Sequence, residues 1–146
     1  MRLGIVGYSK LNPITLSLLI PNLIREVSVE RIPTTIIHSG ICRPVGDAVY
    51  AYIRHIRSHY KIHCISPHYT SIPSASVVLA NNQLLAASCD ALLVITNGFS
   101  KLDEDLIRQA LLRRKTVWKV VLNYDETIYS PEEIQRMATI REVSHA

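Results

Sequence analysis

Three short stretches of the chain carry groups whose types and spacing could do chemistry. "TNGFSKLDE", residues 96 to 104, closes an apolar run with Asn97-Gly98, a pair suited to tight turns, and then opens a helix through Ser100, Lys101, Asp103 and Glu104. A first-turn carboxylate beside a ligand pocket, as Glu104 would be, stands where a general base or a nucleophile stands. Structural uses compete with that reading. Ser100 and Asp103 have capping-box spacing, and Glu104 with Arg108 is an i,i+4 pair in the favourable order. The second stretch is Gly7-Tyr8-Ser9-Lys10-Leu11-Asn12, where a glycine lets the backbone turn and Ser9 and Lys10 could donate to an anion near the amide end of a following helix. It lacks the G-x-x-x-x-G-K-[ST] spacing of a P-loop. The third runs from His38-Ser39-Gly40 through Arg43 to Gly46-Asp47, again leading into a helix. Arg43 could clamp a phosphate bidentately. Asp47 could cap the helix or accept from ribose hydroxyls, and capping requires no ligand.

Other candidates are more isolated. His38 is expected at the ligand edge of a strand, and Cys42 beside Arg43 is placed where a thiolate would be favoured. Tyr8 and Tyr69 could stack on a base or pack at an edge, and His63 and His68 flank a short strand. His55 and His59 share one helical face, but no H-E-x-x-H pattern or third ligand accompanies them, so no metal and no cofactor is expected.

The elements that must position these loops alternate along the chain. Strands are expected at Arg2–Gly7, Thr34–His38, Lys61–Ile65, Ala91–Thr96 and Thr116–Leu122. Helices are expected from Asn12-Pro13, from Asp47 to about Tyr60, from a Ser74 cap through Ser88, from Leu102 to Arg113, and after Ser130-Pro131. Pro21 is expected to kink or end the first helix, because it removes a backbone donor. Apolar strands alternating with amphipathic helices predict an α/β fold: a doubly wound, mainly parallel five-stranded Rossmann-like sheet with helices on both faces. Residues 1–124 would form this domain and 125–146 a helical extension of it. Ligands of such sheets lie beyond the carboxyl ends of the strands, where the strand order reverses.

Composition narrows the classes. The 146 residues suit one domain, and no apolar stretch approaches the roughly 20 residues of a membrane span. Met1 leads straight into a strand-like run rather than a signal peptide, and three cysteines without a C-x-x-C pair suit free thiols, so a cytoplasmic setting is expected. The net charge of +4 favours anionic partners weakly. Arg54, Arg57 and Lys61, with Arg113, Arg114 and Lys115, lack interleaved aromatics, so solvated faces are favoured over nucleic-acid contacts.

Ser39-Gly40 with Gly46-Asp47, and "NNQLLAASCDALLVITNGFSK" from 81 to 101, resemble the SLOG superfamily, the group around the DNA-processing Smf/DprA proteins and the cytokinin-activating LOG phosphoribohydrolases. The likeness covers roughly residues 1 to 123. Against the LOG motif P-G-G-x-G-T-x-x-E, Asn97 and Gly98 take the first two glycines, Ser100 the third, Lys101 the threonine and Glu104 the catalytic glutamate. Asn81 stands where that family has its catalytic arginine. The resemblance thus implies a nucleotide-sized site bordered by Gly7, Tyr8, Ser9, Lys10, Ser39, Gly40, Arg43, Gly46, Asp47, Asn81, Asn97, Gly98, Ser100 and Lys101. It also implies a homodimer or higher oligomer. The departures point to binding or sensing of a nucleotide or nucleotide-derived signal. N-glycosidic bond cleavage through Glu104, as in LOG enzymes or the similar nucleoside deoxyribosyltransferases, is the alternative, and a DprA-like nucleic-acid module is the third.

Overall fold

A computed structural model of the protein describes residues 1–41, 43–55, 60–66, 74–122, 130–137 and 140–144. The elements run β1 (Arg2–Val6), α1 (Pro13–Glu30), β2 (Thr35–Ser39), α2 (Arg43–His55), β3 (Lys61–Ser66), α3 (Ala75–Ser88), β4 (Ala91–Thr96), α4 (Lys101–Leu112), β5 (Thr116–Val121), α5 (Pro131–Met137) and β6 (Arg141–Glu142). The sheet order is β3-β2-β1-β4-β5-β6, parallel except for the antiparallel β5–β6 pair. This is a broadly Rossmann-like α/β arrangement with six strands rather than the predicted five. The sixth is two residues long, too short to leave a periodic pattern.

Each face of the sheet has its own core. Leu3, Ile5, Ile36, Leu93 and Ile95 pack under α1, α2 and α5. Val6, Ile37, Leu92 and Val94 pack under α3 and α4. β4 is buried along its whole length, which is why "ALLVIT" reads as an unbroken apolar run. Strand order reverses between β1 and β4, so the loops after those two strands border the crevice of a doubly wound sheet. The last helix covers its own core, with Ile134 buried among the α1 side chains. Among the described residues no helix is long and apolar enough to cross a membrane.

Two helix expectations are corrected. Pro21 does not end α1: the helix, 18 residues in all, runs on past it to Glu30. Leu16, Leu19, Ile20, Leu23, Ile24 and Val27 are buried on both sides of the proline. At about 1.5–3 kcal/mol per fully buried side chain, that stripe outweighs the roughly 3 kcal/mol cost of an interior proline. The second helix starts at Arg43, not Asp47. Pro44 is compatible with a first turn, where a missing N–H costs nothing. Gly46, the residue that suggests a loop, is glycine because a Cβ there would lie 2.6 Å from the Ser39 carbonyl oxygen.

Candidate functional site

The loop after β1 is fastened to α4 from beneath. Tyr8 N–H donates to Asp103 Oδ1 at 2.7 Å, and the Ser9 hydroxyl donates to Asp103 Oδ2 at 2.8 Å. Asp103 is fully buried. Its carboxylate is therefore not the predicted capping-box partner; only half of the box forms, with Asp103 N–H donating to Ser100 Oγ at 3.2 Å. Ser9 Oγ also accepts from Asn97 N–H at 3.0 Å, which joins the loop after β1 to the loop after β4 across the reversal point. Gly7 serves this junction by size rather than by turning: a Cβ would fall 2.0 Å from the Ile95 carbonyl oxygen.

A second layer of polar groups lies behind Tyr8. Its hydroxyl donates to Asn82 Oδ1 and accepts from Asn81 Nδ2 at 3.1 Å. Asn81 Nδ2 also reaches Ser39 Oγ at 3.2 Å, and that oxygen accepts from Ile41 N–H. Asn82 donates to Asp105 Oδ2 at 3.0 Å, and Asp105 Oδ1 is held by Arg108 at 2.6 Å. Burial works to raise the Asp105 carboxyl, but the Asn82 and Arg108 hydrogen bonds outweigh it and keep it below the ordinary carboxylate value. Asn81, at the position of the LOG arginine in the resemblance, thus takes part in a buried network joining β2, the loop after β1, α3 and α4.

The loop after β4 is pinned at successive residues. Gly98 N–H donates to Thr96 Oγ1 at 3.1 Å, Phe99 N–H donates to Asn97 Oδ1 at 2.9 Å, and Ser100 caps α4. Gly98 has φ 87°, which explains the glycine in this turn. Phe99 is 89% exposed, and Lys10, Gly98 and Lys101 are exposed near it in the chain or across the Ser9–Asn97 junction.

The predicted site residues therefore divide. Gly7, Tyr8, Ser9, Ser39, Gly40, Asn81, Asn97, Gly98, Ser100 and Lys101 gather at the carboxyl edge, with Lys10 beside Ser9. Gly46 lies inside α2, against Ser39. Asp47 lies inside α2 rather than at its start, and lines a groove of about 570 Å3 between α1 and α2, together with Pro13, Ser17, Pro44, Tyr52 and His55. His38 does lie at the carboxyl end of β2, next to last in the strand, but it is buried, with its ring 6.0 Å from that of Tyr50. Glu104 does not pair with Arg108 as its spacing suggested. Its half-exposed carboxylate is 2.9 Å from Lys119 Nζ on β5, while Arg108 turns to Asp105. Cys42, Arg57, His59, His68, Tyr69 and the Arg43 side chain lie outside the described residues.

The described members of the two basic groups singled out in the sequence are at the other end of the molecule. Arg54 lies in the last turn of α2, Lys61 begins β3, and Arg113, Arg114 and Lys115 join α4 to β5, all at the amino edge of the sheet. Cations beyond helix carboxyl ends offset the helix dipole. Among the described residues no group of three or more His, Cys, Asp or Glu side chains is placed to hold a metal ion. Comparisons of the chain with protein-family models, with curated proteins and with solved structures find no match.

Proposed function

We propose that the protein binds a nucleotide or a nucleotide-derived signalling ligand at the carboxyl edge of its sheet, as the SLOG resemblance also implies. The observation that carries this reading is the loop after β4. Three consecutive amides of that loop are tied to side chains, so its shape is set before any ligand arrives. The same loop holds Phe99 in water beside Lys101. An exposed aromatic side chain two residues before a lysine, on a backbone already fixed, suits a planar base carrying phosphate by stacking and charge together. Preorganisation lowers the ordering cost of binding. The buried network behind Tyr8 supports the same reading, since satisfied polar clusters hold surrounding residues in one arrangement.

Thermal shift with nucleoside monophosphates, dinucleotides and cyclic oligonucleotides tests it, with released base followed in the same samples. Saturable stabilisation that Phe99→Ala and Lys101→Ala each weaken supports binding. The absence of stabilisation by every member of the panel contradicts it. Glu104, held by Lys119 on the flank of β5, gives bond cleavage no comparable support. Release of base that Glu104→Gln abolishes would reverse that ranking.

A further inference from the structure

Among the described residues, four large apolar side chains are more exposed than any other: Phe99, Val29 at 82%, Ile32 at 73% and Leu112 at 68%. Phe99 belongs to the carboxyl edge. The other three are all at the amino edge: Val29 in the last turn of α1, Ile32 just before β2, and Leu112 at the end of α4. Single exposed aliphatic residues are ordinary, but three gathered at one end form a pattern that calls for a partner. The same end is cationic. Arg2, Arg31, Lys61, Arg113, Arg114 and Lys115 border it, against the acids Glu30 and Asp90. Asp90 is already 3.7 Å from Arg2, whereas Arg31, Lys61 and Arg114 make no ion pair among the described residues. Backbone bonds tie this edge into one belt: Thr34 N–H donates to the Met1 carbonyl, Lys61 N–H to the Thr34 carbonyl, and Asp90 N–H to the Arg2 carbonyl. Helix dipoles account for cations at these helix ends. They give no reason for aliphatic side chains standing in water among them.

We propose that the amino edge docks on an anionic lipid bilayer, with Val29, Ile32 and Leu112 entering the boundary between headgroups and acyl chains and the surrounding cations meeting the headgroup charge. α1 and α4 pack on opposite faces of the sheet yet end at the same edge, so one plane can touch both ends at once. Five parallel strands about 4.8 Å apart make that base roughly 19 Å across. A bilayer surface accepts both kinds of group together, aliphatic side chains at the acyl boundary and Lys or Arg at anionic headgroups. Nucleic acid would use the cations alone, since Val, Ile and Leu neither stack on bases as aromatic rings do nor donate to phosphate. A contact of this kind needs no membrane-spanning helix. The Phe99 loop, at the opposite end of the strands, would face away from the bilayer, so this proposal and the nucleotide reading can fail independently.

Co-sedimentation of the full chain with phosphatidylcholine vesicles, with and without one third phosphatidylserine, is the test. The wild type is expected to sediment with the anionic vesicles, less with the neutral ones, and less again as salt rises. Val29→Ser with Ile32→Ser keeps every charge and should weaken binding at least about tenfold, with far-UV circular dichroism unchanged. Arg31→Ala with Arg114→Asn should also weaken it at least about tenfold; Asn suits the φ of 56° at position 114. Ile32→Trp provides an arm that does not rest on a loss. Emission from the added indole should shift to the blue on anionic vesicles and be quenched by lipids brominated in the acyl chain, while buried Trp118 gives a constant background. A wild type that leaves anionic vesicles unbound overturns the proposal, as does binding that the folded double serine variant retains in full. So does an indole at position 32 that the brominated lipids do not quench. Capture of a single-stranded oligonucleotide through Arg31 and Arg114, without vesicle binding, would assign the edge to nucleic acid instead.

Discussion

Replacing Asp103 tests whether the carboxyl edge is held from within as described. Asp103→Ala removes the acceptor for Tyr8 N–H and for the Ser9 hydroxyl, two bonds of 2.7 and 2.8 Å to a fully buried carboxylate. Each orphaned buried donor costs about 1–3 kcal/mol, and bonds to charged groups sit at the upper end, so the variant should lose about 3–5 kcal/mol. Asp103→Asn should cost less, about 1–2 kcal/mol. Its amide oxygen can keep Tyr8 N–H, and its NH2 can donate to Ser9 Oγ if that hydroxyl rotates toward Thr96 Oγ1, now 3.4 Å away. Urea unfolding followed by circular dichroism measures both. In a domain of this length the alanine variant should melt about 10–20 °C below the wild type. A double-mutant cycle with Ser9→Ala should show coupling of about 1.5–3 kcal/mol. If Asp103→Ala costs no more than a surface substitution, about 0.5 kcal/mol, or less than Asp103→Asn, the Asp103 carboxylate does not hold the loop after β1.

Three further outcomes follow from individual contacts. Gly7→Ala should cost at least about 3 kcal/mol, because its Cβ meets the Ile95 backbone oxygen, whereas Gly98→Ala should cost about 1–2 kcal/mol for its left-handed φ alone; paired urea titrations compare them. The Asp90 carboxyl lies below its ordinary value, chiefly because Arg2 N–H donates to it at 2.7 Å. That stability is complete at neutral pH and is lost as pH falls through the folded-state value, so Asp90→Asn should flatten the acid limb of a stability-against-pH curve and leave its shape above pH ~6 unchanged. Burial pushes the Cys89 thiol up to about 12, so mass-spectrometric mapping after brief exposure to a thiol reagent should find Cys89 unlabelled in the native protein and labelled in denaturant, while exposed Cys64 is labelled in both.

The parts of this molecule that could be read from sequence are those fixed by neighbours along the chain. β4 and the Ser74, Ser100 and Asn12 caps are local matters of apolar run and hydroxyl or amide spacing, and they lie where the residues place them. The misreadings share a different origin. Asp103 has the spacing of a cap partner, yet its carboxylate goes to Tyr8 and Ser9, some 95 residues away in the chain. Gly46 looks like loop punctuation because the Ser39 carbonyl that demands it belongs to another element. Pro21 looks like a stop because the packing that overrides it is tertiary. Glu104 and Arg108 have the spacing of an ion pair, but Lys119 and Asp105 compete successfully for them. At the candidate site, the sequence named these loops without showing that Asn81 and Tyr8 spend polar groups on each other, or that the Ser9 hydroxyl is spent on Asp103 and Asn97.

The central claim is that ligand recognition occurs at the carboxyl edge, around the preset Phe99 loop. Two-dimensional amide NMR, with the strongest stabilising nucleotide titrated into labelled protein, reads this residue by residue. Saturable shifts concentrated at residues 8–12, 39–41 and 97–101 are expected. Shifts gathered instead along the α1–α2 groove from Pro13 to His55, or at the basic amino edge around Arg113–Lys115, would contradict it.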